Sequence, residues 1–460
     1  MNRQNMTLHE RDIASVVHPQ TNLKTHLTEG PNIITHGEGV YVFDDSGKRF
    51  LDSGAALWCS SLGMKNERIA KAAYEAMQQM PYFQLFRGYS HSPAIELSEK
   101  LLEIAPVPMS KVLLQCSGSE ANDSAVKLAW YYWNGVGKPE KRKIISRMGS
   151  YHGSTCVAIS MTGNAGYHRS FGLPFEGFIH TDALNYYRNA LAGESEEEFS
   201  QRLADSLEAT ILREGPETIA AFFADPVQGN AGALPPPAGY FEKIQAILRK
   251  YDILLVADEV ICGFGRTGNM WGSQTCGMQP DIITCAKGLS AAMLPISAVL
   301  INQRVFDVMA SESDRIGAFV HGFTYAGHPV ASAVALEVLK IYEEIDIVSR
   351  VKSLETPFVE MLKSLTDHPL VGDASGVGLL GGIEIVADKE TRESFAPEIG
   401  INKLIDKHAE ANGILLRTTP ANRIAYSPAL IISEDEIAEV GRLTRIVLDG
   451  ALADYHKVAT

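Results

Sequence analysis

The chain has 460 residues, of which 45% are hydrophobic and 21% are charged, and this length predicts two or more domains. Its formal net charge of −14, from 41 basic and 55 acidic residues, argues against nucleic acid or an anionic membrane as a partner. No run of about 18 apolar residues occurs, so no membrane span is expected.

The six cysteines are scattered and form neither a CxxC pair nor a Cys/His metal pattern. Reduced thiols are therefore expected, and no metal site is predicted. The N-terminus lacks the apolar core of a signal peptide. Together these features favour a cytoplasmic protein.

Hydrophobic patterning differs between the start and the middle of the chain. Residues 33–54 contain four glycines around a short apolar run and predict a small antiparallel ribbon. Further along, apolar runs without polar alternation predict buried strands, and amphipathic runs between them predict helices. The predicted strands are 112–114, 143–145, 219–224, 253–257, 282–283 and 298–301, and the predicted helices include 121–133 and 239–250.

Strands separated by helices indicate a mostly parallel sheet covered on both faces, which is the α/β class. From about residue 330 the chain becomes helical, then glycine-rich before an apolar run at 383–386, and helical again at 402–412 and 434–449. We therefore expect a large domain over 65–325. The N-terminal segment 1–64 and the C-terminal part 326–460 are expected to combine into a smaller α+β domain.

The segment Ser-Gly-Ser-Glu-Ala-Asn at 117–122 follows a predicted strand and opens a predicted helix. Ser117 and Glu120 fit a helix capping box. Gly118 permits close approach of the backbone, and the free N–H groups at a helix start suit a phosphate. From these residues alone, a cap and a phosphate cradle explain the segment equally well.

Three further segments are weak signals when each is taken alone. Tyr151 in Tyr-His-Gly could stack on a planar ring or could be a surface aromatic, and His152 beside it is more simply structural. Gln228 in Asp-Pro-Val-Gln-Gly could bond a ring hydroxyl, although a strand-ending turn also explains the motif. Thr324, in the turn-rich loop 322–329, could bind a phosphate with its hydroxyl.

Asp258 and Lys287 each follow an apolar, strand-like run. A lysine that attacks a carbonyl must first lose its proton, and partial desolvation favours its neutral form. An acid at one strand end and a lysine at the next suggest a pyridoxal phosphate site. The lysine then forms the Schiff base, and the acid holds the pyridine nitrogen protonated.

Taken together and in this order, the motifs resemble the class III aminotransferases, the ω-transaminase group of fold-type I pyridoxal phosphate enzymes. The resemblance extends from about residue 51 to residue 417 and includes Gly-Phe-Gly-Arg-Thr-Gly at 263–268 and Thr-Tyr-Ala-Gly-His-Pro at 324–329. It implies a fold-type I α/β architecture with pyridoxal 5′-phosphate as cofactor. It also implies ping-pong transfer of an amino group from an amine or ω-amino acid to a keto acid, with pyruvate favoured.

The resemblance implies a cofactor role for each matching residue. Lys287 would form the Schiff base and then shuttle a proton between the substrate Cα and the cofactor C4′, while Asp258 would stabilise the protonated pyridine nitrogen. The other expected cofactor-binding residues are Gly118 and Ser119 at the phosphate, Tyr151 and Val260 on the two ring faces, and Phe323 and Thr324. The last two would reach the phosphate of the neighbouring subunit, which implies a homodimer with active sites at its interface.

For the substrate, the resemblance implies that Arg417 binds the acceptor's carboxylate and that Trp58 and Tyr151 line the pocket. Several pocket positions depart from the family pattern. Asn230 stands where a small residue is favoured, and Gln20 and Arg87 stand where amine-specific relatives often have aromatic residues. Asp225, Ala292 and Met293 also depart from the common pattern.

Neutral drift explains these departures about as well as function does. The functional hypothesis is that Asn230, Arg87 and Gln20 polarise the pocket and favour a donor with a second polar or anionic group. Within the same fold, an aminomutase or a racemase is the alternative activity, although Arg417 favours transamination. A non-catalytic ligand-binding protein is a further alternative, and the presence of both Lys287 and Asp258 argues against it.

Overall fold

The computed structural model describes residues 6–458. Residues 1–5, on which the expectation of no signal peptide partly rests, and residues 459–460, the end of the expected small domain, lie outside the described part. Within the described chain, no helix combines the length and the apolarity needed to cross a membrane.

Two short helices that the sequence analysis did not predict precede the predicted ribbon. Thr7 caps the first of them in a capping box with Glu10, and Asn22 caps the second by accepting two backbone N–H bonds. The ribbon itself is an antiparallel three-stranded meander, as predicted. These elements are α1 (Leu8–Ser15), α2 (Leu23–Glu29), β1 (Ile34–Glu38), β2 (Tyr41–Asp44) and β3 (Arg49–Asp52).

The middle of the chain alternates strands with helices. The strands are β4 (Lys111–Gln115), β5 (Lys143–Arg147), β6 (Phe178–Thr181), β7 (Ile219–Ala224), β8 (Leu254–Asp258), β9 (Ile282–Cys285) and β10 (Ser297–Ile301). The helices are α3 (Ala55–Trp58), α4 (Glu67–Gln79), α5 (Ser92–Glu103), α6 (Gly118–Gly135), α7 (Cys156–Met161), α8 (Tyr186–Asn189), α9 (Glu196–Glu214), α10 (Tyr240–Lys250), α11 (Gly272–Thr275) and α12 (Gln303–Ile316).

The seven strands β4 to β10 form one sheet in the order β4-β10-β9-β8-β7-β5-β6. β10 runs antiparallel to both of its neighbours, and the pairs from β9 to β6 are all parallel. Every residue of β7, β8, β9 and β10 is buried, which explains their continuous apolar sequence. The α/β class and the mostly parallel sheet are confirmed, and all six predicted runs form strands.

The C-terminal part adds helices and a second small sheet in the order β11-β12-β15-β14, whose strand pairs are antiparallel. β13 instead pairs in parallel with β3, so that Ile414 lies opposite Leu51. The N-terminal strands and β13 from the C-terminal part therefore belong to one sheet. The elements are α13 (Pro329–Glu344), α14 (Ile347–Ser364), β11 (Val371–Val377), β12 (Leu380–Ile385), α15 (Ile401–Ala411), β13 (Ile414–Leu415), β14 (Arg417–Thr418), β15 (Arg423–Tyr426) and α16 (Glu434–Val458).

Candidate active site

Side chains from the carboxyl ends of three neighbouring parallel strands converge on one pocket. Asp225 follows β7, Asp258 ends β8, and Lys287 follows β9 by two residues. The carboxyl edge is the usual position of a ligand site in an open parallel sheet. The pocket is lined by Gln20, Leu57, Trp58, Gly118, Ser119, Asn122, Tyr151, His152, Gly153, Tyr167, Asp225, Asn230, Asp258, Val260, Ile261, Ala286, Lys287 and Arg417.

The Asp258 carboxylate is buried and held by three hydrogen bonds. Its Oδ2 atom accepts from Nδ2 of Asn122 at 2.8 Å and from Nδ1 of His152 at 2.8 Å. Its Oδ1 atom accepts from the backbone N–H of Val260 at 3.1 Å. Donors of this kind stabilise the ionised form of a carboxyl group and fix its orientation.

Lys287 begins a short helical turn after β9 with a left-handed backbone, at φ 43°. Its side chain is enclosed by protein and reaches solvent only in part. Burial lowers the pKa of the Lys287 amine, and the opposing Asp258 carboxylate raises it by less. A neutral amine is therefore more accessible here than on a solvated lysine, which suits a nucleophile or a base.

Trp58 lies at the end of a strained turn, in which Ala55, Ala56 and Trp58 all have positive φ. This backbone presents the indole ring to two basic side chains. Nζ of Lys287 lies 5.2 Å from the ring centroid, and Cζ of Arg417 lies 5.3 Å from it. Both distances are within the range of a cation–π contact.

The start of α6 offers an anion site next to these groups. Ser117 caps the helix by accepting from the backbone N–H of Glu120, whereas the Glu120 carboxylate accepts from Cys116 N–H. The predicted capping box is thus only half formed. Gly118 and Ser119, the first two helical residues, line the pocket, where backbone N–H groups and the helix dipole favour a phosphate.

The phosphate cradle at the start of α6 has no room for a side chain at Gly118 or at Gly153. A Cβ atom at Gly118 would lie 3.1 Å from both methyl groups of Val260, and one at Gly153, where φ is +136°, would lie 2.6 Å from Oγ of Ser119. The Ser119 hydroxyl also accepts the backbone N–H of Ser154 at 3.0 Å, so its own hydrogen is free to point to a ligand. A helix cap alone requires neither these close contacts nor a free hydrogen on the Ser119 hydroxyl, so both features favour a phosphate-binding role for this segment.

Nε2 of His152, in the pocket lining, has no hydrogen-bond partner within residues 6–458, and neither has Oε1 of the buried Gln228, two residues before the lining residue Asn230. Buried polar atoms are normally paired, so such atoms at a pocket point to a missing ligand or water. The amine of Lys287, the fixed carboxylate of Asp258 and the cradle at α6 form a donor set that fits pyridoxal phosphate. Lys287, Asp258, Gly118, Ser119, Val260 and Tyr151 would hold it.

On the substrate side, the Tyr151 and Tyr167 rings lie 5.5 Å apart at an angle of 52°. The Tyr167 hydroxyl is 3.5 Å from Oδ1 of Asn230. Gln20, from the loop between α1 and α2, and Arg417, from β14, complete this part of the pocket. Polar side chains therefore converge from three distant parts of the chain.

Three of the predicted site residues lie outside this pocket. Phe323 and Thr324 belong to a surface loop, where the backbone oxygen of Thr324 accepts from the Tyr82 hydroxyl at 2.6 Å. Arg87 is exposed in a groove that also includes Gly322. All three residues lie on one face of the chain, outside the active-site pocket of that chain.

The sequence analysis missed three polar residues of the pocket. Asn122 was quoted only as part of the helix-start motif, and His152 was considered structural. Tyr167 was not considered. Asn122 and His152 are positioned by how α6 and the loop before α7 pack beside β8, whereas Tyr167 lies in the segment after α7; residue spacing reveals neither arrangement. The polar residue inside the buried face of α6 was the one available signal for Asn122.

Comparison with known proteins agrees with this geometry. The class-III aminotransferase family profile matches residues 25–447. The chain is 47% identical to gamma aminobutyrate transaminase 3, chloroplastic, from Solanum lycopersicum over 411 residues, which cover 89% of this chain and 79% of that protein. It is 46% identical to gamma-aminobutyrate transaminase 1, mitochondrial, from Oryza sativa subsp. indica over 430 residues, or 93% and 83% of the two chains.

Among solved structures, the omega transaminase from Pseudomonas jessenii in complex with PMP superposes with a TM-score of 0.96. It is 47% identical, and the match covers 98% of this chain and 99% of that one. These relatives are transaminases, so an aminomutase or a racemase is not favoured. The chain belongs to the class-III aminotransferases, and it transfers amino groups with pyridoxal 5′-phosphate as its cofactor.

Proposed function

We propose that this aminotransferase takes its amino group from an ω-amino acid, or from an amine with a second polar or anionic group, and passes it to pyruvate. The observation that carries the proposal is the presence of three polar side chains, Gln20, Asn230 and Arg417, in the lining of the pocket around Lys287. A pocket built for plain arylalkylamines needs apolar walls, because unpaired buried polar groups cost binding energy.

The chain's own groups divide the chemistry between them. Pyridoxal phosphate, when bound, supplies an electron sink for charge that develops at the substrate Cα. With the cofactor bound, the Lys287 amine, whose pKa is lowered by burial, would accept the proton from that carbon and deliver it to the cofactor's C4′. The Asp258 carboxylate, fixed by His152 and Asn122, would keep the pyridine nitrogen of the cofactor protonated.

Arg417 is the carboxylate-binding residue in this proposal. Its guanidinium can form two parallel hydrogen bonds to a carboxylate, and its Cζ atom lies 5.3 Å from the centroid of the Trp58 ring. Donor and acceptor use the same pocket in turn, which is the basis of ping-pong kinetics. The gamma-aminobutyrate transaminases among the relatives support an ω-amino acid donor.

We also propose a homodimer in which each chain completes its partner's site. Phe323, Thr324 and Arg87 share a face with exposed aromatic side chains, and large apolar exposure of this kind marks an interaction surface. These aromatic residues are Tyr82, Phe83, Phe86, Tyr89 and Tyr325, each 39–63% exposed. Light scattering should give twice the mass of one chain; a monomer at micromolar concentration that retains full activity would contradict the proposal.

We also propose a domain division and a cellular location. Pairing of β13 with β3 supports a small domain formed by residues 1–64 and 326–460, with 65–325 as the large domain. All six cysteines are free thiols, which supports a reducing, cytoplasmic location. Cell fractionation tests the location, and limited proteolysis at residues 60–70 and 320–330 tests the boundaries.

Steady-state kinetics with a donor panel and pyruvate as acceptor tests the substrate proposal. We expect kcat/KM to be higher for β-alanine and taurine than for 1-phenylethylamine. Arg87→Leu should weaken the anionic donors at least about tenfold more than neutral ones, because in the proposed dimer this residue reaches the partner's pocket and its loss removes a hydrogen-bonded charge pair. Arg249→Leu, exposed on α10 and outside the pocket, is the matched control. A clear preference for 1-phenylethylamine would sink the proposal.

A further inference from the structure

A second group of polar side chains lies between α1 and α2, at the N-terminal end of the described chain. Oδ1 of Asp12 is 2.9 Å from Nε2 of His18 and 3.1 Å from Nε2 of His26. All three potential ligand atoms lie within 4.8 Å of one another. The His26 side chain is only 7% exposed, whereas His18 and Asp12 are 32% and 20% exposed.

The donor set matches a borderline metal ion. Two imidazole nitrogens and one carboxylate oxygen suit zinc and its neighbours in the first transition row, with bonds of about 2.0–2.2 Å. In a tetrahedral site with such bonds, neighbouring ligand atoms are ~3.3 Å apart. The observed separations from Asp12 are a few tenths of an ångström shorter, so small outward shifts of the side chains admit an ion.

We propose that Asp12, His18 and His26 bind one divalent transition-metal ion of the zinc type. Nε2 of each imidazole and a carboxylate oxygen of Asp12 are the ligands, and water fills the fourth position on the solvent side, where His18 and Asp12 are partly exposed. In the metal-bound state each imidazole carries its proton at Nδ1 and offers the Nε2 lone pair to the ion. The hydrogen bonds to Asp12 are exchanged for metal bonds.

The position of the site gives it a consequence for the active site. Asp12 lies on α1, His26 lies on α2, and His18 lies in the loop between them. The same loop carries Gln20, which lines the active-site pocket. A bound ion therefore cross-links the two helices and holds the loop that presents Gln20. Cysteine spacing gave no sign of such a site, because its ligands are histidine and aspartate.

Zinc titration of the holoenzyme tests the proposal. The protein is prepared without a histidine tag, treated with EDTA, desalted, and titrated with Zn²⁺ against a chromophoric chelator. We expect one tight equivalent per chain, weakened at least about tenfold in His18→Gln and in Asp12→Asn, since loss of a ligand exceeds the ~10–100-fold cost of losing a supporting residue. His9→Gln is the control, because His9 is on the same helix but pairs with Asp45.

Trypsin cleavage provides a second readout that does not depend on activity. Arg11 and Lys24 lie on the two helices that the ion would join, so Zn²⁺ should slow cleavage after both residues at least about threefold in the wild type. His18→Gln should show no such protection, and His9→Gln should behave as the wild type. Absence of saturable Zn²⁺ binding, or equal binding by His18→Gln, would overturn the proposal.

Discussion

The Asp258 carboxylate and the His152 ring are joined by a hydrogen bond of 2.8 Å between Oδ2 and Nδ1, and both side chains are buried. Asn122 donates to the same oxygen atom at 2.8 Å. Asp258 is the proposed partner of the cofactor's pyridine nitrogen. The hydrogen bonds from His152 and Asn122 therefore set the orientation of the Asp258 carboxylate towards that nitrogen. We therefore propose His152 as a positioning residue for the reaction.

His152→Ala should lower kcat/KM by about 10- to 100-fold, since a hydrogen bond to a charged group contributes roughly 1.5–3 kcal/mol. His152→Asn retains a donor near Nδ1 and should recover part of the loss. The visible spectrum of the bound cofactor should titrate at a different pH in the alanine variant. An unchanged spectrum and pH profile in both variants would assign His152 a packing role instead.

Arg417→Gln should raise KM for pyruvate about 10- to 100-fold and leave KM for a neutral aldehyde acceptor nearly unchanged. The guanidinium lines the pocket beside Trp58, and its loss removes a charge-assisted bond to the carboxylate alone. The aldehyde serves as the internal control for folding and cofactor loading. Equal losses for both acceptors would show that Arg417 does not read the carboxylate.

Thr324→Val should weaken binding of pyridoxal phosphate about tenfold or more if its hydroxyl reaches the partner's phosphate across the dimer. The matched control is Thr366→Val, whose hydroxyl bonds the backbone oxygen of Lys363 in the C-terminal part. Cofactor release during dialysis, followed by absorbance, measures the effect. Similar affinity in the two variants would contradict the shared site.

Glu259 gives a prediction about pH and stability. Burial raises the pKa of this carboxyl group to about 7, although it accepts hydrogen bonds from the N–H groups of Gly272 and Ser273. The folded state keeps the proton up to about pH 7, whereas the unfolded chain releases it near pH ~4.3. Stability from this group therefore falls as the pH rises through that window.

Relative to Glu259→Gln, which does not titrate, the wild type should lose about 2 kcal/mol of unfolding free energy between pH 5.5 and pH 8. Urea titrations of both proteins at the two pH values measure this difference, and other titrating groups cancel in the comparison. A difference that is constant with pH, or that grows in favour of the wild type, would show that Glu259 is ionised throughout.

Wholly buried strands explain why much of the site could be predicted from the sequence. β7, β8 and β9 are continuous apolar runs, so the residues at or just after their carboxyl ends, including Asp258 and Lys287, could be placed at one edge of the sheet. β6 is only partly buried and contains two polar residues among four, so its pattern gave no such signal.

Long-range packing explains what the sequence could not show. Asn122 reaches Asp258 only because α6 passes beside β8. Gln20 enters the pocket from a loop that is more than two hundred residues from Asp258 along the chain. Neither contact is signalled in the sequence by a periodic pattern or by a characteristic residue spacing. Likewise, the approach of His18 to His26 follows from the turn between two capped helices rather than from any motif.

Absorbance of the holoenzyme in two half-reactions tests amino transfer at Lys287 most directly. β-Alanine alone should bleach the visible band of the cofactor joined to Lys287, and pyruvate should then restore the band while releasing an equal amount of alanine. Lys287→Ala should perform neither step at the wild-type rate. Bleaching that pyruvate cannot reverse, or unchanged turnover in Lys287→Ala, would contradict the assignment.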